Sequence, residues 1–279
     1  MVNRIWQRHF GVGLVATPDD FGYSGSRPTN QALLDWLAAE FVESGWSVKH
    51  VQRLIVTSAT YRQASGVRNQ GAADPDNSLL WRQNVQRLDA ETLRDTMLAV
   101  SGKLQPDSSG PPRWPEVEPD LLQALPNLFE ATERLQGYYT DPPRATHVRS
   151  VFLVRKRGVP SSFLQAFNQP DPACTCGKRD VSVVAPQALM LLNNPFSVRI
   201  ARDFADRLLA ECGAEPAKQV DRAFQLAFSR APTSDERDLV LRELAQLTQV
   251  HARTKDGARA ALADVCMALL NTNEFIYTD

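Results

Sequence analysis

The sequence predicts a mainly α-helical protein: an irregular multi-helix domain with a long proline-rich loop and a minor β element. Apolar residues recur at three- and four-residue spacing over much of the 279-residue chain, most continuously over its last third. Serine, threonine or aspartate precedes several of these stretches and glycine follows some of them, as at helix ends. Eight of the 18 prolines lie between Pro106 and Pro143, so that span is predicted to be irregular.

The first sixty residues predict three helices. Apolar residues fall on one face of residues 1–10 with no capping residue before them, so we expect the sequence to be a C-terminal fragment of a longer protein. Four glycines make residues 11–25 a loop. Thr29 is the predicted N-cap of the second helix, which ends at Gly45, and Ser47 is the predicted N-cap of the third.

The middle of the chain combines a helix, the proline-rich loop and a strand. Asp89 is the expected cap of a helix that ends at Gly102. The proline-rich segment 105–147 follows. After it, the strand-forming residues of Val148–Val154, flanked by cations, predict the minor β element.

We predict one helical domain over residues 1–279. Within it, lobes 1–104 and 148–279 would be joined by the proline-rich segment 105–147. Apolar residues make up 43% of the chain, which is ordinary for a globular protein and sufficient for a sizeable core.

Helices dominate the rest of the chain. Ser161–Phe167 predicts a short helix, and Pro186–Asn193 predicts another with proline in its first turn. Four longer helices follow. One of these opens at Thr233-Ser-Asp-Glu236, where the side chains of the first and last residues can cap each other's backbone N–H groups.

Composition and spacing exclude several classes of protein. The formal net charge of −1 argues against a general nucleic-acid binder, which needs a basic excess. No run of 18 apolar residues predicts a membrane span, and the first residues lack the features of a signal peptide. The four cysteines form no C-x-x-C pair and the four histidines are far apart, so the chain itself is predicted to hold no haem, other cofactor or metal.

Several motifs in order resemble one known family. They are Asn3-Arg-Ile-Trp-Gln7, Thr17-Pro-Asp-Asp-Phe-Gly22, Leu33-Leu-Asp-Trp-Leu-Ala-Ala-Glu-Phe41, Leu54-Ile-Val-Thr-Ser-Ala-Thr-Tyr-Arg62, Leu88-Asp-Ala-Glu91 and Leu270-Asn-Thr-Asn-Glu-Phe275. Together they resemble domain of unknown function 1553, a planctomycete-type domain usually found at the C-terminal end of large exported proteins. The resemblance extends over essentially the whole chain, but it supplies no activity.

The resemblance implies a context for the chain. The parent protein would be exported, to the periplasm or the cell surface, and would often carry a cytochrome c-like domain upstream. Haem would then belong to the parent alone. The upstream domains are the expected partners, with a polysaccharide or a cell-surface partner as a further expectation.

The stretch from His147 to Phe196 contains the candidate catalytic residues. Asp171 could act as an acid, a base or a metal ligand, Arg179 could bind an anion, and Cys176 could be a nucleophile or a redox thiol. Each has a structural alternative: Asp171 precedes a proline, where aspartate commonly bonds its own backbone, and Arg179 could pair with Asp171 to fasten the loop.

Two further features of the candidate site stay open from the sequence. In an exported protein, Cys174 or Cys176 could form a disulfide with Cys212 or Cys266. Many relatives have aspartate where this chain has Asn168, so a catalytic carboxylate pair would lack one member here.

Basic and aromatic residues supply the candidate ligand-binding set. Arg149, Arg155 and Arg157 flank the predicted strand, and Trp114 lies in the proline-rich loop. The preferred function is an uncharacterised helical module of an exported multidomain protein, with a non-catalytic docking or interaction role. The alternative is an enzyme or binding domain for an anionic or sulfated polysaccharide, and the sequence leaves open whether the protein is an enzyme.

Overall fold

The computed structural model describes residues 1–66, 74–105, 110–116, 141–182 and 184–278. These residues contain eleven α-helices and one two-stranded antiparallel sheet, which confirms the mainly α-helical fold. The chain forms two compact units, Met1–Arg87 with Tyr277–Asp279, and Leu88–Ile276. The proline-rich segment 105–147 lies largely outside the described residues, so its predicted role between two lobes stays a prediction.

The described part of the first unit contains three helices: α1 (Val2–Phe10), α2 (Gln31–Glu43) and α3 (Val48–Thr57). The predicted cap of α2 was wrong by one residue. Asn30 Oδ1 accepts a hydrogen bond from the N–H of Leu33 at 3.0 Å, whereas the Thr29 side chain donates to the carbonyl of Leu14. Ser47 caps α3 as predicted.

The apolar faces of these helices pack into the core of the first unit. Its buried members are Val2, Ile5, Trp6, Phe10, Leu14, Leu37, Phe41, Val51 and Ile55. The same unit contains the sheet, in which β1 (Gln86–Arg87) pairs with β2 (Tyr277–Thr278). The first unit therefore contains residues from both the first and the last part of the chain.

The part of the second unit that the structure describes contains eight helices. They are α4 (Ala90–Val100), α5 (Ser162–Ala166), α6 (Ala185–Asn193), α7 (Pro195–Cys212), α8 (Pro216–Phe228), α9 (Ser234–Val250), α10 (Gly257–Leu270) and α11 (Asn273–Ile276). Helices α7 to α10 pack against one another around fully buried residues such as Phe204, Leu208 and Leu262. The capping box of Thr233 and Glu236 forms as predicted.

The predicted strand Val148–Val154 was wrong. The structure has two turns of 3-10 helix here, Pro143–Thr146 and Ser150–Phe152, and only single bridges at Val148 and Leu153. The physical reason is that side chains of α4 bind this backbone. Arg94 donates to the carbonyls of Thr146 and Val148, and Asp95 accepts from the N–H of Ser150, so these groups are not available to a strand ladder.

No helix in the described part of the chain combines the length and the apolar character that crossing a lipid bilayer requires.

Candidate functional site

Arg179 lies in the loop between α5 and α6 and binds the start of α4. Its Nη1 donates to Glu91 Oε2 at 2.6 Å and its Nη2 to Glu91 Oε1 at 3.3 Å, while Asp89 Oδ2 lies 3.4 Å away. The predicted pairing of Arg179 with Asp171 is therefore wrong. Asp89 occupies the N-cap position of α4 as predicted, but its side chain makes no capping hydrogen bond.

The environment of Glu91 keeps its carboxylate charged. Burial alone would raise the pKa of Glu91, but hydrogen bonds from Arg179 and Gln169 outweigh burial and hold that pKa below its ordinary value. Burial likewise opposes the charge on Arg179, and the hydrogen bonds to Glu91 nevertheless raise the pKa of Arg179. Both charges are thus fixed in a half-buried pair that fastens the loop.

The other candidate catalytic groups also make local contacts. Asp171 is exposed, and its Oδ1 accepts the N–H of Ala173 at 2.8 Å, as in a turn that an aspartate side chain stabilises. Cys176 is exposed, and its thiol donates to the carbonyl of Lys178 at 3.1 Å.

All four cysteines are free thiols, so neither of the disulfides considered, to Cys212 or to Cys266, is present. Burial raises the pKa of the Cys266 thiol far above its ordinary value, which makes it an unreactive core residue.

Asn168 fastens the loop before α6 through its side chain. Its backbone is left-handed, with φ 62°. Its Oδ1 accepts from the N–H of Ser182 at 3.3 Å, the hydroxyl of Ser182 at 3.0 Å and Nε2 of Gln187 at 3.3 Å. A carboxylate would accept the same three donors and aspartate also tolerates this backbone, so the position is suited to fixing the loop with either residue.

A cleft lies beside this loop in the second unit. It encloses about 200 Å³ and is lined in part by Arg155, Lys156 and Asp171. Arg155 also donates from Nη2 to the carbonyl of Pro170. The structure thus brings one predicted ligand-binding arginine and one predicted catalytic carboxylate to the same cleft.

The other predicted ligand-binding residues do not line the cleft. Arg149 is exposed and its Nε lies 3.9 Å from Asp95, and Arg157 is exposed with no ion pair to any residue that the structure describes. Trp114 is half-buried, and its backbone N–H donates to Asp141 Oδ2 at 2.7 Å. Its neighbour Pro115 reaches the cleft instead.

Sequence reasoning missed Arg94, the residue that shapes this region most. Its side chain is 7% exposed, donates to two carbonyls and to the hydroxyl of Ser150, and lies 3.7 Å from Asp95. Burial lowers the pKa of Arg94 to about 10, although the negative charge of Asp95 acts to raise that pKa. The sequence contains only a weak signal for the burial of Arg94, which is its position directly after Leu93, on the edge of the apolar face of α4.

Comparison with protein families finds a match over residues 1–244 to PSD1, a protein of unknown function (DUF1553). The chain belongs to this family. Comparison of this PSD1 member with curated proteins and with solved structures found no match. Within the described ranges, the PSD1 fold gathers no group of three or more histidine, cysteine or acidic side chains that could hold a metal ion.

Proposed function

We propose that this PSD1 domain is a non-catalytic interaction module of a larger protein. The proposal rests mainly on one observation, which is that the Arg179 guanidinium is paired with Glu91. A catalytic or anion-binding arginine needs its guanidinium turned to a ligand, whereas Arg179 has both terminal nitrogens on Glu91. Asp171 and Cys176 likewise make contacts within their own loop.

The proposed context of the module rests on family resemblance. We infer that its parent is an exported planctomycete-type protein, located in the periplasm or on the cell surface. A cytochrome c-like domain upstream would carry any haem, and this chain would dock onto the upstream domains or a cell-surface partner.

The thermal midpoint and the free energy of unfolding of Arg179→Ala, Glu91→Ala and the double variant test the proposal. We expect each single variant to lose about 2 kcal/mol, because each leaves a half-buried charge without its partner. The double variant should lose less than the sum, with a coupling of about 1 kcal/mol. A fully stable Arg179→Ala protein would contradict the fastening role and return Arg179 to the candidate ligand-binding residues.

A second candidate function is supported by the cations around the cleft. Arg155 and Lys156 line it, and the exposed Arg157 belongs to the same short segment. An anionic or sulfated polysaccharide is the matching class of ligand, and Asp171 would be the acid or base if the ligand were also cleaved.

A sulfated oligosaccharide derived from heparin is the probe for this second function. At about a hundred times its dissociation constant it would stabilise the protein by roughly 2.7 kcal/mol, which is visible as a higher thermal midpoint. Arg155→Ala, which removes a cation that lines the cleft, should reduce that shift, and Arg253→Ala, which removes an exposed cation outside the cleft, should not. No shift, or equal loss in both variants, would reject a specific polysaccharide site.

A further inference from the structure

An apolar groove runs over helices α8, α9 and α10 in the second unit. It encloses about 390 Å³, within the range of sites that bind ligands, and its apolar lining includes Phe224, Val240, Leu247 and Leu269. Leu239 lies at its edge with 51% of its surface exposed. An exposed apolar surface of this kind on a helical protein is typical of an interaction site.

The charged residues that line the groove are all acidic. They are Glu236, Glu243, Asp264 and Glu274. One cation beside the groove offsets two of them: Arg230 pairs with Glu236 at 2.7 Å and with Glu274 at 2.6 Å. The same guanidinium lies 5.5 Å from the ring centre of Phe224, so it is held in place at that end of the groove.

The remaining carboxylates leave the rest of the groove negative. Glu243 is exposed and makes no ion pair with any residue in the described ranges, and Asp264 contacts only the imidazole of His251 among ion-pair partners there, at 2.7 Å. A ligand for this surface must therefore bring apolar side chains for the floor and a positive charge for the edge.

We propose that this groove binds a cationic amphipathic helix of a partner segment. Such a helix places apolar residues at three- and four-residue spacing on one face and lysine or arginine beside them, which matches an apolar floor between helices with Glu243 at its edge. This inference rests on the proposed interaction function and names the surface and the chemistry of the partner.

A direct binding measurement tests the inference. The probe is a fluorescently labelled leucine/lysine amphipathic peptide about 18 residues long, which is long enough to form a helix on binding. The matched control peptide has glutamate in place of lysine. We expect the lysine peptide to bind the full chain at least about tenfold more tightly than the glutamate peptide, with an affinity that falls as salt is added.

Two charge-reversal variants on the same helix separate groove binding from general attraction between opposite charges. Glu243→Lys should weaken binding of the lysine peptide about fivefold and strengthen binding of the glutamate peptide. Asp238→Lys changes the net charge equally but lies outside the groove, and should change neither affinity by more than about twofold. Leu239→Ser changes an exposed position and should not affect folding, and we expect it to weaken the binding of both peptides.

Equal effects of Glu243→Lys and Asp238→Lys, or equal binding of the two peptides, would overturn the inference. This failure is distinguishable from failure of the proposed function. If the groove binds neither peptide while the Arg179 and Glu91 variants still show coupled losses of stability, the interaction module stands with another surface. If Arg179→Ala is fully stable, the fastening role fails and the non-catalytic assignment loses its support, whatever the peptides do.

Discussion

The side chain and the backbone of Asn168 both help to fix the conformation of the loop before α6. The left-handed φ of 62° is acceptable for asparagine, and the side-chain oxygen holds Ser182 and Gln187 in place before α6 begins. These two roles can be separated by substitution, because glycine keeps the backbone conformation and aspartate keeps the acceptor.

We expect Asn168→Asp to be within about 0.5 kcal/mol of the parent in free energy of unfolding. Asn168→Gly should lose about 1 kcal/mol, since it loses the acceptor alone, and Asn168→Ala about 2 kcal/mol, since it also strains the backbone. Urea denaturation of the three variants measures these values. A strongly destabilised Asn168→Asp would show that the position requires a neutral amide and would contradict the view that either residue can fix the loop.

Residue-level prediction from the sequence worked where the contacts are local. The turn at Asp171 joins residues two apart, and its chemistry follows from the residue type and the following proline. The partner of Arg179 is Glu91, 88 residues earlier, and nothing in either local sequence specifies that contact. Burial of Arg94 also depends on a distant segment, because carbonyls more than fifty residues away receive its hydrogen bonds.

Among the elements, the start of α9 combines a helix cap with an ion pair. Hydrogen bonds from Arg230 and from the Thr233 backbone lower the pKa of Glu236 to about 2, from an ordinary value of 4.5. A carboxyl whose pKa is lower in the folded state contributes stability above its unfolded pKa and loses that contribution as the pH falls through the folded pKa. The Glu236 contribution is thus present above about pH 4.5 and disappears towards about pH 2.

We expect the thermal midpoint of the protein to fall between about pH 5 and pH 2, and Glu236→Gln to fall less steeply over that interval. Glutamine retains the capping geometry, so the difference reports the charge. Glu243→Gln serves as the control, because it removes a carboxylate of the same helix that forms no ion pair with any residue the structure describes. A Glu236→Gln curve parallel to that of the parent would contradict the link to Arg230.

The elements themselves were predictable where cap and periodicity agreed, as in α3 and α9. The strand Val148–Val154 failed because a short apolar run does not distinguish a strand from other buried backbone. The real strands, Gln86–Arg87 and Tyr277–Thr278, are two residues each and meet only because the two ends of the first unit fold together. Such pairing has no local signature.

For the whole molecule, chain connectivity makes the second unit an insertion in the first. The chain leaves the first unit after Arg87 and returns at Tyr277, and the N–H of Leu88 donates to the carbonyl of Ile276 at 2.8 Å. The two ends of the second unit are therefore adjacent. Its core is also its own, since the buried cluster from Ala90 to Phe275 lies entirely within that unit.

We expect a fragment comprising residues 88–276 to fold alone, because both of its ends and its core are contained within one compact unit. Circular dichroism during heating should show a cooperative transition. The control is a fragment of residues 1–87, which lacks the β2 partner of β1 and should melt at a lower temperature or without cooperativity. A fragment 88–276 that binds hydrophobic dyes and melts gradually would contradict this independence.

The cysteines differ in solvent exposure, so their rates of chemical modification can report local opening of the structure. Cys174 and Cys176 meet solvent in the native state, whereas Cys266 has no exposed surface. A thiol reagent should therefore modify Cys174 and Cys176 at once, the half-buried Cys212 more slowly, and Cys266 only during rare openings of the core around α10. Mass spectrometry of timed samples would follow the modification of each cysteine, and the rate at Cys266 would measure how often the core opens.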